Sequence, residues 1–308
     1  MAKVLSDTMD FSAYMRQTEA SVKVRPAGEF LAELQAEFAP RAHGHKSAML
    51  STKLRSVIEF KPGEVTVWAG YNGHRKSMFA GQVALDLCQQ RERSLIASME
   101  MSPGRTLARM AKQAYGASML TPTDQKAFSA WTDGRLWLFD HMGRVSPDTV
   151  IAVCNYFAQE LKGRHVFIDS MMMVCSSEES LDEQKQFTTD LCRMAQESGL
   201  HVHLIAHCRK PQSGAEDKPP TKYDLRGSAA ISDQASNVIT VWANKVKAAK
   251  LQANPNDDEA LQQPDAAVTV EKQRNGAWEG RLKLWWDEDS LRFVDDRTSP
   301  IEPYRMAP

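Results

Sequence analysis

The sequence has no C-x-x-C pair, no long apolar run, no repeat of fixed period and no surplus of either charge. Its five cysteines, Cys88, Cys154, Cys175, Cys192 and Cys208, are scattered. That spacing excludes a zinc ribbon or a disulfide framework and reads as reduced thiols in a cytosolic protein. No apolar stretch approaches the roughly 18 residues that a helix needs to cross a bilayer. The N-terminus lacks the pattern of a secretory signal. The expectation is a cytoplasmic protein with no membrane partner. Net charge is −1, so there is no global positive field, and any nucleic-acid contact must come from local basic patches. With 42% hydrophobic and 25% charged residues the chain is able to form a core. A length of 308 residues suits one large α/β domain with appendages, or two domains.

A glycine is also missing from the stretch that organises the chain. An apolar, β-branched run from Val65 to Ala69 breaks at Gly70. A loop containing Gly73 follows, then Lys76 and Ser77, then an apolar helix pattern from Met78 to Cys88. Strand, glycine loop, Lys-Ser and helix make up the layout of a phosphate-binding loop. Backbone N–H groups and the helix N-terminus face an anion, Lys76 adds a point charge, and Ser77 offers a hydroxyl to Mg²⁺. The expected nucleotide contacts are Gly70, Gly73, His74, Arg75, Lys76, Ser77 and Met78. The pattern G-x-x-x-x-G-K-[ST] asks for glycine where this chain has Arg75. Glycine lets the backbone pass the phosphates without a Cβ. Arginine adds bulk beside the nucleotide, with a charge that offsets part of the cost.

The rest of the chain supplies possible partners for that loop. The strand Ser94 to Ser98 delivers Glu100 just past its C-terminal end, where the chemistry of open α/β sheets gathers. Glu100 is either a base that polarises water near a γ-phosphate or a solvated acid opening the helix marked by Ser102-Pro103. Helices are expected over Arg105 to Tyr115, over Thr121 to Thr132 with Thr123 or Asp124 as cap, and from Ser146-Pro147 to Leu161. Leu136 to Phe139 is a short strand. The apolar run from His165 ends in Asp169, a carboxylate placed to hold Mg²⁺ directly or through water. Ser176 to Gln186 reads as flexible and Leu191 to Leu200 as helical. The strand His201 to Ala206 ends in His207, either a γ-phosphate sensor or a surface histidine. Cys208 to Tyr223 is a long loop carrying Arg209, Lys210, Lys218 and Lys222. These cations either meet a phosphodiester backbone or simply solvate the loop.

Asn237 to Trp242 reads as a buried strand and residues 245–263 as a surface excursion. Three strands close the chain, with a hairpin turn at Asn275-Gly276. Lys272 and Arg274, two apart, point to one face. They are either surface charges or a device reaching a phosphate across a subunit boundary, as an arginine finger does. Ahead of all this, Phe30, Leu31, Leu34 and Phe38 form a short amphipathic helix between Pro26 and Pro40. Its stripe packs on its own domain or on a neighbouring subunit. Arg41 to Lys46 reads as a linker, and His43 and His45 there as linker polarity.

In this order the pieces resemble the RecA-like motor domain of the DnaB-type replicative helicases, most closely the phage primase–helicase and mitochondrial Twinkle branch. The likeness covers about residues 50 to 295. It is carried by Gly70 to Ser77, Ala84 to Cys88, Ser98 to Met101, the strand ending at Asp169, and Ile205 to His207. Asp224 to Ser228 with Ala230-Ile231, and Lys272 to Gly276, carry it most specifically. The resemblance implies an α/β fold: a twisted, mainly parallel sheet flanked by helices, a C-terminal antiparallel hairpin extension and an N-terminal linker helix. Residues 1–50 would be the helical extension and 51–308 the NTPase domain. It implies Mg²⁺ and ATP, or another NTP or dNTP, as cofactors. Lys76 and Ser77 would hold phosphates and metal, Asp169 the metal, and Glu100 would activate water. His207 would couple the γ-phosphate to the DNA loops, and Arg274 with Lys272 would reach the next subunit's nucleotide. Arg209, Lys210, Lys218, Lys222 and Arg226 would contact DNA.

The implied partners are single-stranded DNA, like subunits in a hexameric ring, and a separate primase or polymerase, because no primase or zinc region precedes the motor. A phage-encoded chain would act in the bacterial host's cytoplasm. Arg75 supports an alternative, a single-stranded DNA-binding or loading scaffold with an impaired or merely regulatory nucleotide site. A RecA-style recombinase is a third reading, against which the Lys272 to Gly276 hairpin speaks.

Overall fold

A computed structural model describes residues 27–32, 35, 51–175, 180–211, 216–227 and 229–306. Contacts divide the chain into two units, Met1–Gly44 and His45–Pro308. In the first, a 3₁₀ turn spans Ala27–Phe30 and Leu31 is exposed. Leu34 and Phe38 of the expected amphipathic helix, and the linker histidines His43 and His45, lie outside the described residues.

Among its described residues the second unit is built on a nine-stranded sheet. Its parallel strands are β1 (Val65–Gly70), β2 (Ser94–Ser98), β3 (Leu136–Leu138), β4 (His165–Asp169), β5 (His201–His207) and β6 (Asn237–Ala243). An antiparallel extension follows in β7 (Ala266–Gln273), β8 (Gly280–Asp287) and β9 (Arg292–Val294). The spatial order is β3-β2-β4-β5-β1-β6-β7-β8-β9. The expected mainly parallel sheet with an antiparallel C-terminal extension is therefore present. All of β1 is buried, as a strand covered on both faces requires. Because side chains alternate, Val65, Val67 and Ala69 enter one core and Trp68 the other.

Helices cover both faces. On the first lie α5 (Pro147–Gln159), α6 (Leu181–Ser198) and α7 (Ala230–Gln234), through Phe157, Leu191 and Ile231. On the second lie α1 (Thr52–Arg55), α2 (Lys76–Gln89), α3 (Pro103–Tyr115) and α4 (Pro122–Thr132), through Leu54, Phe79, Met110 and Phe128. Among the described residues no helix is long and apolar enough to cross a membrane.

Several local expectations need correction. Helix α4 is capped by Thr121, not Thr123 or Asp124; Asp124 sits three residues in and closes a reciprocal capping box. Helix α6 starts at Leu181, inside the stretch expected to be flexible. Gln184 lies on the same buried face as Phe187 and Leu191, so the packing stripe runs past the polar residues at its start. Residues 245–263 are not a plain excursion: they hold α8 (Lys245–Ala253) and α9 (Asp258–Gln262), with Ala260 buried and Lys247 paired to Asp265 at 2.8 Å. The β7–β8 connection runs from Arg274 to Glu279 instead of turning tightly at Asn275-Gly276. Asn275 Nδ2 donates to Glu64 Oε1 at 2.6 Å, so this residue ties the connection to the sheet.

Where β4 and β5 begin, three histidines are buried among aromatic rings. Trp68 Nε1 donates to His203 Nδ1 at 3.2 Å, which leaves the proton of His203 on Nε2, 3.2 Å from His165 Nδ1. Phe167 stacks on His203 with ring centroids 4.1 Å apart. Burial holds His203 well below the usual imidazole pKa, with His201 and His165 pushing the same way.

Candidate nucleotide site and nucleic-acid interface

The parallel strands bring their C-terminal ends to one edge of the sheet, and the loop after β1 forms the centre of that edge. A Cβ on Gly70 would stand 2.3 Å from Val241 O of β6, so only glycine lets the two backbones approach this closely. Gly73 lies at φ 75° and Arg75 at φ 63°, ψ 23°. Arg75 thus keeps the left-handed backbone that the missing glycine would have supplied. Its guanidinium lies over the Trp286 ring of β8, 4.3 Å from the centroid. The bulk expected beside the nucleotide is packed on that indole.

Lys76 opens α2 and is buried. Its Nζ donates to Tyr71 O at 2.9 Å and meets His207 Nδ1 at 3.2 Å. Burial lowers its pKa to about 8, opposed by Asp169 and Glu100. Asp169 ends β4 opposite Ser98 of β2. Burial raises its pKa to about 6, while a hydrogen bond from Ser77 pulls it down. Glu100 follows β2 and accepts a hydrogen bond from Ser170 Oγ at 2.8 Å. Lys76, Ser77, Glu100, Asp169 and His207 therefore share one edge, although they come from four separate strand ends.

The donor set there fits a hard divalent cation. Ser77, Ser98, Asp169 and Arg109 line a cavity of about 30 Å³, and Met78 lines it too. Among the described residues Ser98 Oγ is buried there without a hydrogen-bond partner. Much of the lining is apolar and Arg109 adds a cation, so the fit rests on the oxygens of Ser77 and Asp169, the donor type that Mg²⁺ takes, and these two would hold it.

The ring of His74, expected beside the nucleotide, is turned into the protein. It is fully buried, Ala243 N donates to its Nδ1 at 3.0 Å, and its Nε2 lies 2.9 Å from Glu216 Oε2. It contributes backbone to the loop and its imidazole elsewhere.

Lys272 and Arg274 share a face, as expected: Lys272 Nζ donates to Asp233 O at 2.8 Å and Arg274 Nη2 to the same oxygen at 3.2 Å. Because β7 runs antiparallel, that face lies at the far end of the sheet. Arg274 N bonds Ser236 O, just before the Asn237–Thr66 pair, and Thr66 to Gly70 spans about 13 Å of strand. They are out of reach of this chain's own Lys76.

The loop after β5 is fixed at its base. Cys208 N donates to Gly70 O at 2.9 Å, Arg209 N to Asp224 O at 2.7 Å, and Arg226 N to His207 O at 2.8 Å. Arg209, Lys210 and Lys218 are exposed. Lys222 is half-buried, with its Nζ 3.4 Å from Glu271 O. Residues 212–215 and Ser228 lie outside the described residues. Sequence reasoning missed Tyr223, which is 84% exposed on a 3₁₀ turn held by the Thr221–Asp224 capping box. An aromatic residue beside Lys222 was a legible signal, but its exposure was not.

Residues 52–295 match the model of the DnaB-like helicase C terminal domain. The replicative DNA helicase DnaB of Rickettsia bellii (strain RML369-C) is 22% identical over 289 residues, covering 80% of this chain and 57% of that protein. The Rickettsia typhi (strain ATCC VR-144 / Wilmington) protein of the same name is 24% identical over 163 residues, 48% of this chain and 33% of its own length. The chain thus spans little more than half of the first of these relatives. Among solved structures, the ATPase domain of G40P superposes with a TM-score of 0.73 at 16% identity, covering 89% of this chain and all of that one. A DnaB-like replicative helicase, solved to show its interactions with primase, superposes at 0.69 and 17% identity over 92% of this chain and 71% of its own. These superpositions establish the fold. With the family match over most of its length and the phosphate-loop edge described above, the chain belongs to the DnaB-like helicase C-terminal domain family.

Proposed function

We propose that this chain is an NTP-driven motor that moves along single-stranded DNA as a replicative helicase, working as a ring of like subunits. The observation that carries the reading is the meeting of Lys76, Ser77, Glu100, Asp169 and His207 at one sheet edge. Lys76, charged below about pH 8, holds the β- and γ-phosphates of ATP or a related triphosphate. Ser77 and Asp169 would hold Mg²⁺, whose charge would offset that of the β- and γ-phosphate oxygens as the P–O bond to the γ-phosphorus breaks. Glu100, oriented by Ser170, positions water and accepts its proton. His207 touches Lys76 with its ring and Arg226 N with its carbonyl, so one residue spans the phosphate site and the base of the basic loop. Arg209, Lys210, Lys218, Lys222 and Arg226 meet DNA phosphates.

Arg274 and Lys272 lie at the opposite edge and act on the nucleotide of the next subunit in a closed, hexameric ring, stabilising transition-state charge. A separate primase or polymerase would be the ring's partner, in a cytoplasm. Hydrolysis measured with and without single-stranded DNA tests the reading, and stimulation by DNA is the expected result. Arg75 in the glycine position keeps a second reading open to test, a DNA-coating or loading scaffold, although its guanidinium is turned onto Trp286. Measurable affinity for single strands without turnover in either condition would select it.

A further inference from the structure

The phosphate loop has a second attachment that its motif does not require. His74 is fully buried, and Ala243 N donates to its Nδ1 at 3.0 Å. The imidazole proton therefore sits on Nε2 and needs an acceptor. Glu216 Oε2 supplies it at 2.9 Å. That carboxylate comes from the loop between Cys208 and Tyr223, the segment proposed above to meet DNA. The same oxygen accepts Lys245 Nζ at 2.8 Å, and Lys245 Nζ also reaches Asn72 O at 3.4 Å. Trp242 Nε1 donates to the carbonyl of Glu216 at 2.9 Å. One residue of the basic loop is thus held by both main chain and side chain, in contact with His74 of the phosphate loop and with Lys245, which in turn reaches Asn72. His207 meets Lys76 directly at 3.2 Å, so the two loops also touch at a pair of residues other than Glu216 and His74.

We infer that Glu216 is a positioning residue that fastens the basic loop to the phosphate loop through His74, so that nucleotide binding and the placement of the basic loop are coupled. The inference rests on the nucleic-acid reading of that loop. If the loop lifts, the buried Nε2–H of His74 loses its acceptor and the phosphate loop loses a support. Linkage then requires that a strand which seats the loop tightens nucleotide binding, and that nucleotide tightens strand binding by the same factor.

The test measures binding of a fluorescent N-methylanthraniloyl-ATP with Mg²⁺, with and without oligo-dT, to the unaltered chain, Glu216→Ala, Glu216→Gln and Lys245→Gln. In the unaltered chain oligo-dT is expected to tighten nucleotide binding about fivefold or more. In Glu216→Ala that ratio falls to about one, while oligo-dT affinity without nucleotide changes less than about twofold. Glu216→Gln keeps an amide oxygen for His74 and recovers most of the ratio. Lys245→Gln leaves the His74 contact in place and retains it. A purely structural role would lower the unfolding midpoint and weaken nucleotide binding in Glu216→Ala but leave the ratio unchanged, and that result overturns the inference. Should Glu216→Ala fail to fold, the Gln variant decides: loss of the ratio there overturns the role assigned to the His74 hydrogen bond. An unaltered chain that binds both ligands with a ratio of one overturns the inference and leaves the motor reading intact. One that binds no oligo-dT overturns both.

Discussion

At Arg75 the backbone stands at φ 63°, a conformation that costs a non-glycine residue about 1–2 kcal/mol. The guanidinium recovers a comparable amount, about 0.5–2 kcal/mol, by lying on Trp286. Arg75→Gly removes both terms, so calorimetry should find its unfolding midpoint close to that of the unaltered chain, with nucleotide affinity undiminished. Arg75→Ala keeps the strain and loses the stack. Its midpoint should fall by about 2–4 °C for each kcal/mol lost. Equal midpoints for the Ala and unaltered proteins would mean that the stack carries nothing. Tyr223 is the other single residue with a sharp outcome. A base stacked on an exposed aromatic side chain is worth about 1–3 kcal/mol, so Tyr223→Ala should weaken oligo-dT binding about tenfold, and Tyr223→Phe should restore it. At this scale the motif residues were legible because a strand end, a glycine loop and Lys-Ser have fixed spacing. Where the Arg75 and His74 side chains go was not, since Trp286 and Glu216 are far away in sequence.

The strand ends, as elements, decide how the site titrates. Asp169 at the end of β4 is raised to about 6 and Lys76 after β1 is lowered to about 8, both chiefly by burial. A protonated Asp169 does not hold Mg²⁺ and a neutral Lys76 does not hold phosphate. Mg²⁺-nucleotide affinity should therefore peak between about pH 6 and 8 and fall on both sides. Asp169→Asn should lower the peak and remove the acid limb, and a flat profile from pH 5 to 9 would contradict the placement.

The histidine seam of β4 and β5 makes a separate prediction. The folded-state pKa of His203 is depressed, so below about pH 6.5 the unfolded chain takes up protons that the folded one refuses. Stability should therefore fall as the pH drops through about 6.5, by up to about 1.4 kcal/mol per pH unit from His203, an effect that the raised carboxyl of Asp169 opposes below about pH 6. Denaturant unfolding between about pH 7 and 6 measures this, and stability that rises on acidification across that window would contradict it. Strand ends were legible at this scale because apolar runs stop at Asp169 and His207. The start of α6 was not, because its first turn is polar and only packing of Gln184 shows its buried side.

For the whole molecule, the reversal of direction at β7 is what matters. It places Arg274 at the edge away from Lys76 of the same chain. A site that needs both must join two copies, and the ring proposal follows from that separation. Sequence order indicated a sheet with an antiparallel extension. Which edge each cation occupies depends on strand direction, which spacing alone does not give.

Mixing two variants tests this most directly. Lys76→Ala and Arg274→Ala should each hydrolyse ATP poorly in the presence of single-stranded DNA, with Arg274→Ala still binding nucleotide. Mixed, they can form junctions that join an intact Lys76 from one copy to an intact Arg274 from the other. The account predicts that hydrolysis returns in the mixture. An Arg274→Ala protein as active as the unaltered chain, or a co-assembled mixture that stays silent, would contradict it.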